Sequence, residues 1–197
     1  VAYSLYSDKE IFIREYISNA SDACDKLRYA QINTPQLIKK DEPFKITISI
    51  NKKLGTISFT DNGIGMTKND LIKSLGTIAK SGTEEFIKKL ESEKNADIEQ
   101  IGKFGVGFYS GFMVTTKISV KSRKAGEKNS FIWTSDGKGN FQIESSTMEK
   151  NGTIVTLYIN QDNKEFLEKI RVETVVKKYS DHITHPVYIK DSETKKD

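Results

Sequence analysis

Glu15, Asn19, Asp22 and Lys26 recur at steps of four, three and four residues, which places them on one stripe of a helix. A carboxylate and a carboxamide one turn apart suit two tasks. Glu15 can orient or deprotonate an attacking water, and the Asn19 carbonyl can hold a hydrated Mg²⁺, a cation that prefers oxygen and keeps several waters. A second cluster is Asp61-Asn62-Gly63-Ile64-Gly65-Met66. Asp61 continues the alternating series Ile57, Phe59, Asp61, so a strand that persists that far aims its carboxylate inward. A carboxylate facing an apolar interior is costly unless it meets donors, and the exocyclic amine of adenine is one. Gly63 and Gly65 allow positive φ and leave room for a flat ligand to approach the backbone. A third cluster is Ile101-Gly102-Lys103-Phe104-Gly105-Val106-Gly107-Phe108. Glycine amides at the start of a helix form a phosphate cradle, to which Lys80 would add a charge. No Gly-Lys-Ser/Thr follows and no strand precedes, so it is neither a Walker motif nor a dinucleotide fingerprint. For each cluster a plainer reading stands alongside: a solvated helix side with an Asp22–Lys26 pair, a tight turn satisfied by Asp61, and a glycine hinge.

The elements that must position these residues follow from periodicity. Ser7 to about Ala30 reads as a long amphipathic helix with an apolar face of Ile13, Tyr16, Ile17, Ala20, Cys24 and Leu27. Arg14, Ser18, Ser21 and Asp25 fall on the side expected to meet water. Phe44 to Ile50 alternates as a half-buried strand, Asn51 to Gly55 turns, and Ile57 to Asp61 returns. Thr67 can cap a short helix through Leu75, and Thr83 another. The stretch from about Ser74 to Gly107, with glycines at both ends, has the form of a lid. An apolar helical run continues through Val114. Strands are expected at Lys117–Ser122, Ser130–Ser135, Phe141–Glu144 and Thr153–Asn160, with turns at Asp136-Gly137 and Asn151-Gly152. In the last strand Thr153 shares its face with Val155, Leu157 and Ile159, so its hydroxyl points inward as Asp61 does. Lys164 to Ser180 reads as a second amphipathic helix carrying Phe166, Leu167, Ile170, Val175 and Tyr179. His185 to Ile189 is a last extended piece. Residues 1–189 are expected to form one domain, and 190–197 to begin a charged linker.

Composition narrows the classes. The 197 residues are 36% apolar, ample for one core. The net charge of +4 comes from 31 basic and 27 acidic residues spread along the chain, which describes a solvated lysine-rich surface rather than a nucleic-acid site. No run approaches the ~18 apolar residues of a membrane helix, and no signal peptide is visible. The single cysteine, Cys24, forbids an internal disulfide and reads as a packing thiol, which fits a reducing compartment. His182 and His185 lack further ligands at zinc spacing. The sequons at Asn19 and Asn151 read as chance matches.

Ser4-Leu5-Tyr6-Ser7-Asp8-Lys9-Glu10-Ile11-Phe12-Ile13-Arg14-Glu15, Ser18-Asn19-Ala20-Ser21-Asp22-Ala23, Asp61 to Met66, Leu75-Gly76-Thr77-Ile78-Ala79-Lys80-Ser81-Gly82-Thr83 and Phe104-Gly105-Val106-Gly107-Phe108-Tyr109-Ser110 occur together in one order. In that order they resemble the N-terminal ATP-binding domain of the heat-shock protein 90 chaperones, with wording similar to the bacterial HtpG or mitochondrial types. The likeness covers nearly the whole chain. It implies an α+β GHKL ATPase (Bergerat) fold, a two-layer sandwich whose twisted, mostly antiparallel sheet is covered on one face by helices. It implies Glu15 as general base and Asn19 as Mg²⁺ ligand. Asp61 would bind the adenine amino group, partly through water, assisted by Thr153 and Gly65, and Asp22 and Met66 would line the base pocket. Lys80 and the amides of Gly105, Val106, Gly107 and Phe108 would hold the phosphates of ATP or ADP. It also implies client proteins, a homodimer in the full-length form, lid closure over ATP, and ansamycin- or resorcylate-type inhibitors in the ATP pocket. The location expected is cytoplasmic, with a mitochondrial matrix or other organelle as the alternative, and neither a nucleic acid nor a membrane is expected as partner.

Other GHKL members fit less well. A histidine kinase would lack a catalytic carboxylate at the Glu15 position, and gyrase and MutL types differ in the lid and in the Ser4–Glu15 wording. Departures from the chaperone pattern are Lys103, where Gln or Arg is usual, and Ser74, where eukaryotic members carry Asn. The segment that family members exchange between protomers is mostly missing, as is the middle domain that supplies an arginine to the γ-phosphate. The chain is therefore expected to bind nucleotide with little turnover.

Overall fold

The computed structural model describes residues 9–38, 42–76 and 106–192. Helix α1 spans Ile11–Asn33, strand β1 Ile46–Asn51 and β2 Thr56–Asp61. A short helix α2, Lys68–Leu71, runs on as a π turn over Ile72–Gly76. A 3-10 segment, Val106–Met113, leads into β3 (Thr115–Arg123), β4 (Ser130–Ser135), β5 (Phe141–Ser146) and β6 (Gly152–Ile159). A second 3-10 segment, Gln161–Leu167, precedes α3 (Lys169–Tyr179), a 3-10 turn at Ser180–His182 and β7 (Val187–Asp191).

The seven strands form one sheet in the order β5-β4-β3-β6-β2-β1-β7. Every pairing is antiparallel except β1 with β7. The period of two turns Ile46, Ile48 and Ile50 of β1 and Ile57 and Phe59 of β2 to one face, where all are fully buried or nearly so. Ile118, Val120, Trp133 and Leu157 extend that face. The apolar stripe of α1 covers it: Phe12, Ile13, Tyr16, Ile17, Ala20, Cys24 and Leu27 are all buried. Rings interlock at the centre, with Phe12 edge-on to Phe166 at 4.9 Å and Tyr16 stacked on Phe59 at 5.3 Å. Each fully buried large apolar side chain contributes on the order of 2 kcal/mol, so α1 is held by packing rather than by its caps.

Several expectations shift. The second amphipathic helix is two pieces, because Glu168 is extended at φ −92°, ψ 122°. That break resets the helical phase. Phe166, Leu167 and Val175 still face inward, but Ile170 is 79% exposed. Asp25 does not simply meet water, because His185 lies against the helix with its Nε2 2.9 Å from Asp25 Oδ1. The last extended piece is β7, which enters through a bond from the Ile46 N–H to the Pro186 carbonyl. It runs through Lys190 and Asp191, two residues beyond Ile189. Thr67 caps α2 as expected, with the Asp70 N–H on its Oγ1 and its own N–H on Asp70 Oδ2. Residues 1–8 and 77–105 lie outside the described residues. They include most of the expected lid, the helix expected from Thr83, and the residues Lys80, Lys103 and Gly105.

Candidate functional site

Asp61 ends β2 and is 7% exposed. Sheet register sets it beside Thr153 of β6, and Thr153 beside Ser122 of β3. All three face the helix side. Both readings of Asp61 hold at once: its carboxylate points inward and its Oδ1 also accepts the Gly63 N–H at 2.9 Å. Burial pushes its pKa up to about 7, against the N–H groups of Gly63 and Thr153, which pull it down. The Thr153 hydroxyl is 2.8 Å from Ser122 Oγ. Ser122 is fully buried; its oxygen accepts the Met66 N–H at 2.8 Å and lies 3.0 Å from the Gly152 carbonyl. Sequence reasoning missed Ser122, although the inward series Ile118, Val120, Ser122 carried the same signal that marked Asp61 and Thr153.

The glycines of this loop are tightly packed. Of the pair Gly63 and Gly65, only Gly65 has positive φ, at 69°. A Cβ on Gly63 would overlap the backbone of α1 at Ala23 and Cys24, and one on Gly65 would overlap the Arg123 carbonyl. Their close approach is therefore to protein backbone. The loop is bolted down by the Ile64 N–H on the Ala23 carbonyl at 2.9 Å and the Ala125 N–H on the Ile64 carbonyl at 2.8 Å. Asn62 accepts the Lys45 N–H and donates to the Pro43 carbonyl, and Asn151 donates to the Gly63 carbonyl at 2.7 Å. Cys24 packs beneath, its thiol pushed up to about 12 by burial, as a packing residue should be.

On α1, Glu15 and Asn19 are half-buried, while Asp22 and Lys26 are exposed. Burial raises the Glu15 pKa, the nearby Asp22 adds to the rise, and Arg14 opposes it. Asp22 is also raised, by loss of solvation and by Asp25, with Lys26 opposing. The Glu15 carboxylate lies against Gly107, where any Cβ would overlap its Oε2. Phe108 as a whole is buried, at 5% exposure. Met66 is half-buried against the core. The structure thus joins one helix to the Asp61 loop at Ala23 and to the glycine segment at Glu15. Those anchors lie eight residues apart, about 12 Å along the axis. Among the described residues no group of three or more His, Cys, Asp or Glu side chains converges as a metal cage. A cation held by one carboxamide, a ligand's phosphates and water remains compatible with Asn19, a hard oxygen donor one turn from Glu15. No helix among the described residues is long and apolar enough to cross a membrane.

A buried carboxylate at a strand end, a helix stripe of Glu and Asn, and a glycine segment under that helix thus belong to one sheet-and-helix module. Residues 6–185 match the family model described as histidine kinase-, DNA gyrase B-, and HSP90-like ATPase, and the chain belongs to that ATPase family. Its α+β architecture is the GHKL type, with a seven-stranded sheet antiparallel throughout except for the β1–β7 pair. Among curated proteins it is similar to Chaperone protein HtpG of Roseobacter denitrificans, at 54% identity over 95% of this chain and 30% of the relative. Chaperone protein HtpG of Buchnera aphidicola subsp. Schizaphis graminum is 54% identical over 98% of this chain and 31% of the relative. That of Rickettsia massiliae is 52% identical over 96% of this chain and 30% of the relative. The chain thus spans a little under a third of the length of these relatives.

Proposed function

We propose that this chain is the ATP-binding and ATP-hydrolysing module of an HSP90-type chaperone. The observation that carries this reading is the single helix joined at one point to the buried Asp61 loop and at another to the Glu15–Gly107 contact. Asp61 would accept the adenine amine, with Thr153 and the backbone at Gly65 completing the base wall and Asp22 and Met66 flanking it. Glu15 would position and deprotonate the attacking water. Its raised pKa makes it a better base than an exposed carboxylate. The backbone at Val106, Gly107 and Phe108 would meet the phosphates, as would Lys80 and Gly105. Asn19 would hold Mg²⁺, which when bound neutralises phosphate charge.

The further parts of this reading rest on the family resemblance and the HtpG relatives. They are client proteins engaged by the full-length chaperone, a homodimer, a lid-driven clamp cycle, and ansamycin- or resorcylate-type inhibitors in the same pocket. A cytoplasmic location and a role in stress response belong with them, and the domain is proposed to end with β7 at Asp191, two residues past the expected 189.

The test is Glu15→Ala in the full-length protein. Calorimetry should show ADP affinity unchanged, while steady-state hydrolysis falls by about 10²–10⁴. Retained turnover would remove Glu15 as the base. An unmodified full-length protein that binds ATP without hydrolysing it would instead make this a nucleotide-gated interaction module.

A further inference from the structure

Two buried hydroxyls, one on α1 and one on the glycine segment, bond to carbonyls of that segment, and the roles above do not use them. Tyr16 is 2% exposed, and its hydroxyl donates to the Phe108 carbonyl at 2.7 Å across 92 residues of sequence. Burial raises its pKa well above the usual phenol value, which keeps it a proton donor. Ser110, also 2% exposed, donates from Oγ to the Gly107 carbonyl at 2.5 Å. A Cβ at Gly111 would overlap the Tyr16 hydroxyl, so the 3-10 segment has a glycine where that hydroxyl enters.

These two bonds grip consecutive peptide groups. The peptide unit is planar and trans, so its N–H points opposite its C=O. Holding the Gly107 carbonyl therefore sets the direction of the Phe108 N–H, and holding the Phe108 carbonyl sets that of the Tyr109 N–H. The gripped peptides adjoin Gly107, against which the Glu15 carboxylate lies. Glu15 and Tyr16 are neighbours on α1. The helix that carries the carboxylate thus also orients the backbone beside it. Preorganised backbone donors are effective because no reorganisation is needed when charge arrives.

We propose that Tyr16 and Ser110 are positioning residues for the phosphate cradle, fixing the Gly107–Tyr109 peptide planes by capping their carbonyls from opposite partners, one on α1 and one on the segment itself. The proposal rests on the nucleotide reading of this site. It separates the two ends of the ligand: loss of either hydroxyl should weaken recognition of phosphate and leave recognition of the base alone.

Tyr16→Phe and Ser110→Ala each delete one hydroxyl, and the phenyl ring keeps the stack on Phe59 and the edge contact with Phe108. Calorimetry on the chain, with thermal melts to confirm folding, would compare Mg²⁺–ADP with adenosine, which has no phosphate. In each variant ADP affinity should fall about five- to tenfold while adenosine affinity stays at the unmodified value. Any other pattern, such as equal losses for both ligands, no loss, or a selective loss in only one variant, overturns the paired assignment. Failure of the unmodified chain to bind either ligand overturns the nucleotide reading, and this inference with it.

Discussion

The two ends of the proposed pocket are built by different means. At the base end, Asp61, Thr153 and Ser122 are 7%, 6% and 0% exposed, and strand register alone puts them side by side. At the phosphate end, Glu15 and Asn19 sit half-buried on a helix surface, and the Tyr16–Phe108 bond ties that helix to the glycine segment. In the proposed function, recognition would rely on groups that cannot move without breaking the sheet. Catalysis would be left to a side chain whose backbone is rigid but whose carboxylate keeps partial contact with solvent. A buried polar group is held in place by the cost of leaving it unpaired; a half-buried one needs a separate device to orient it.

Asp61→Asn should have the largest effect. The amide offers one acceptor oxygen where both the Gly63 N–H and a ligand amine need one. Calorimetry should show adenosine and ADP affinity reduced together by at least about 100-fold. Retained adenosine affinity would move the base wall elsewhere. Next, Gly63→Ala forces a Cβ into the α1 backbone and should cost about 2–3 kcal/mol in urea unfolding. Gly55 has φ 66° but open space around it. Gly55→Ala should cost only about 1 kcal/mol, from backbone strain alone. Equal costs would mean that α1 gives way around the added methyl and that its contact does not constrain Gly63.

The smaller effect is on pH. The folded Asp61 titrates at about 7, above its unfolded value, so the folded state holds a proton that the unfolded chain has released. Stability from the neutral carboxyl is fully present below about pH 4 and is lost as pH rises through 7. Unfolding free energy of the ligand-free chain should fall by about 2 kcal/mol from pH 5 to pH 8, and Asp61→Asn should flatten that slope. The raised Glu15 and Asp22 act in the same direction, so a residual slope in the variant is theirs.

Much of the site was legible in the chain. Period two turned Asp61 and Thr153 inward correctly because a strand's side-chain direction is set locally. The same rule reached Ser122, but a serine among inward apolar residues looks like filler until its partners are known. The stripe on α1 was visible, yet spacing could not say that Glu15 and Asn19 are half-buried while Asp22 and Lys26 are exposed, since that depends on what packs over the helix. The glycines of the Asp61 loop were read as room for a ligand. They also make room for backbone, a contact that needs the position of a helix some 40 residues earlier.

What the sequence determined by itself was therefore the local part: strand faces, the cap at Thr67, the apolar side of α1 and the set of residue types able to handle a nucleotide. The tertiary structure alone decided which of them meet. It placed β7 parallel to β1 against the antiparallel trend, turned Ile170 outward after the break at Glu168, and brought Tyr16 to Phe108. The first and last of these join segments distant in the chain, and all three depend on packing the whole core and not on the preferences of any one stretch.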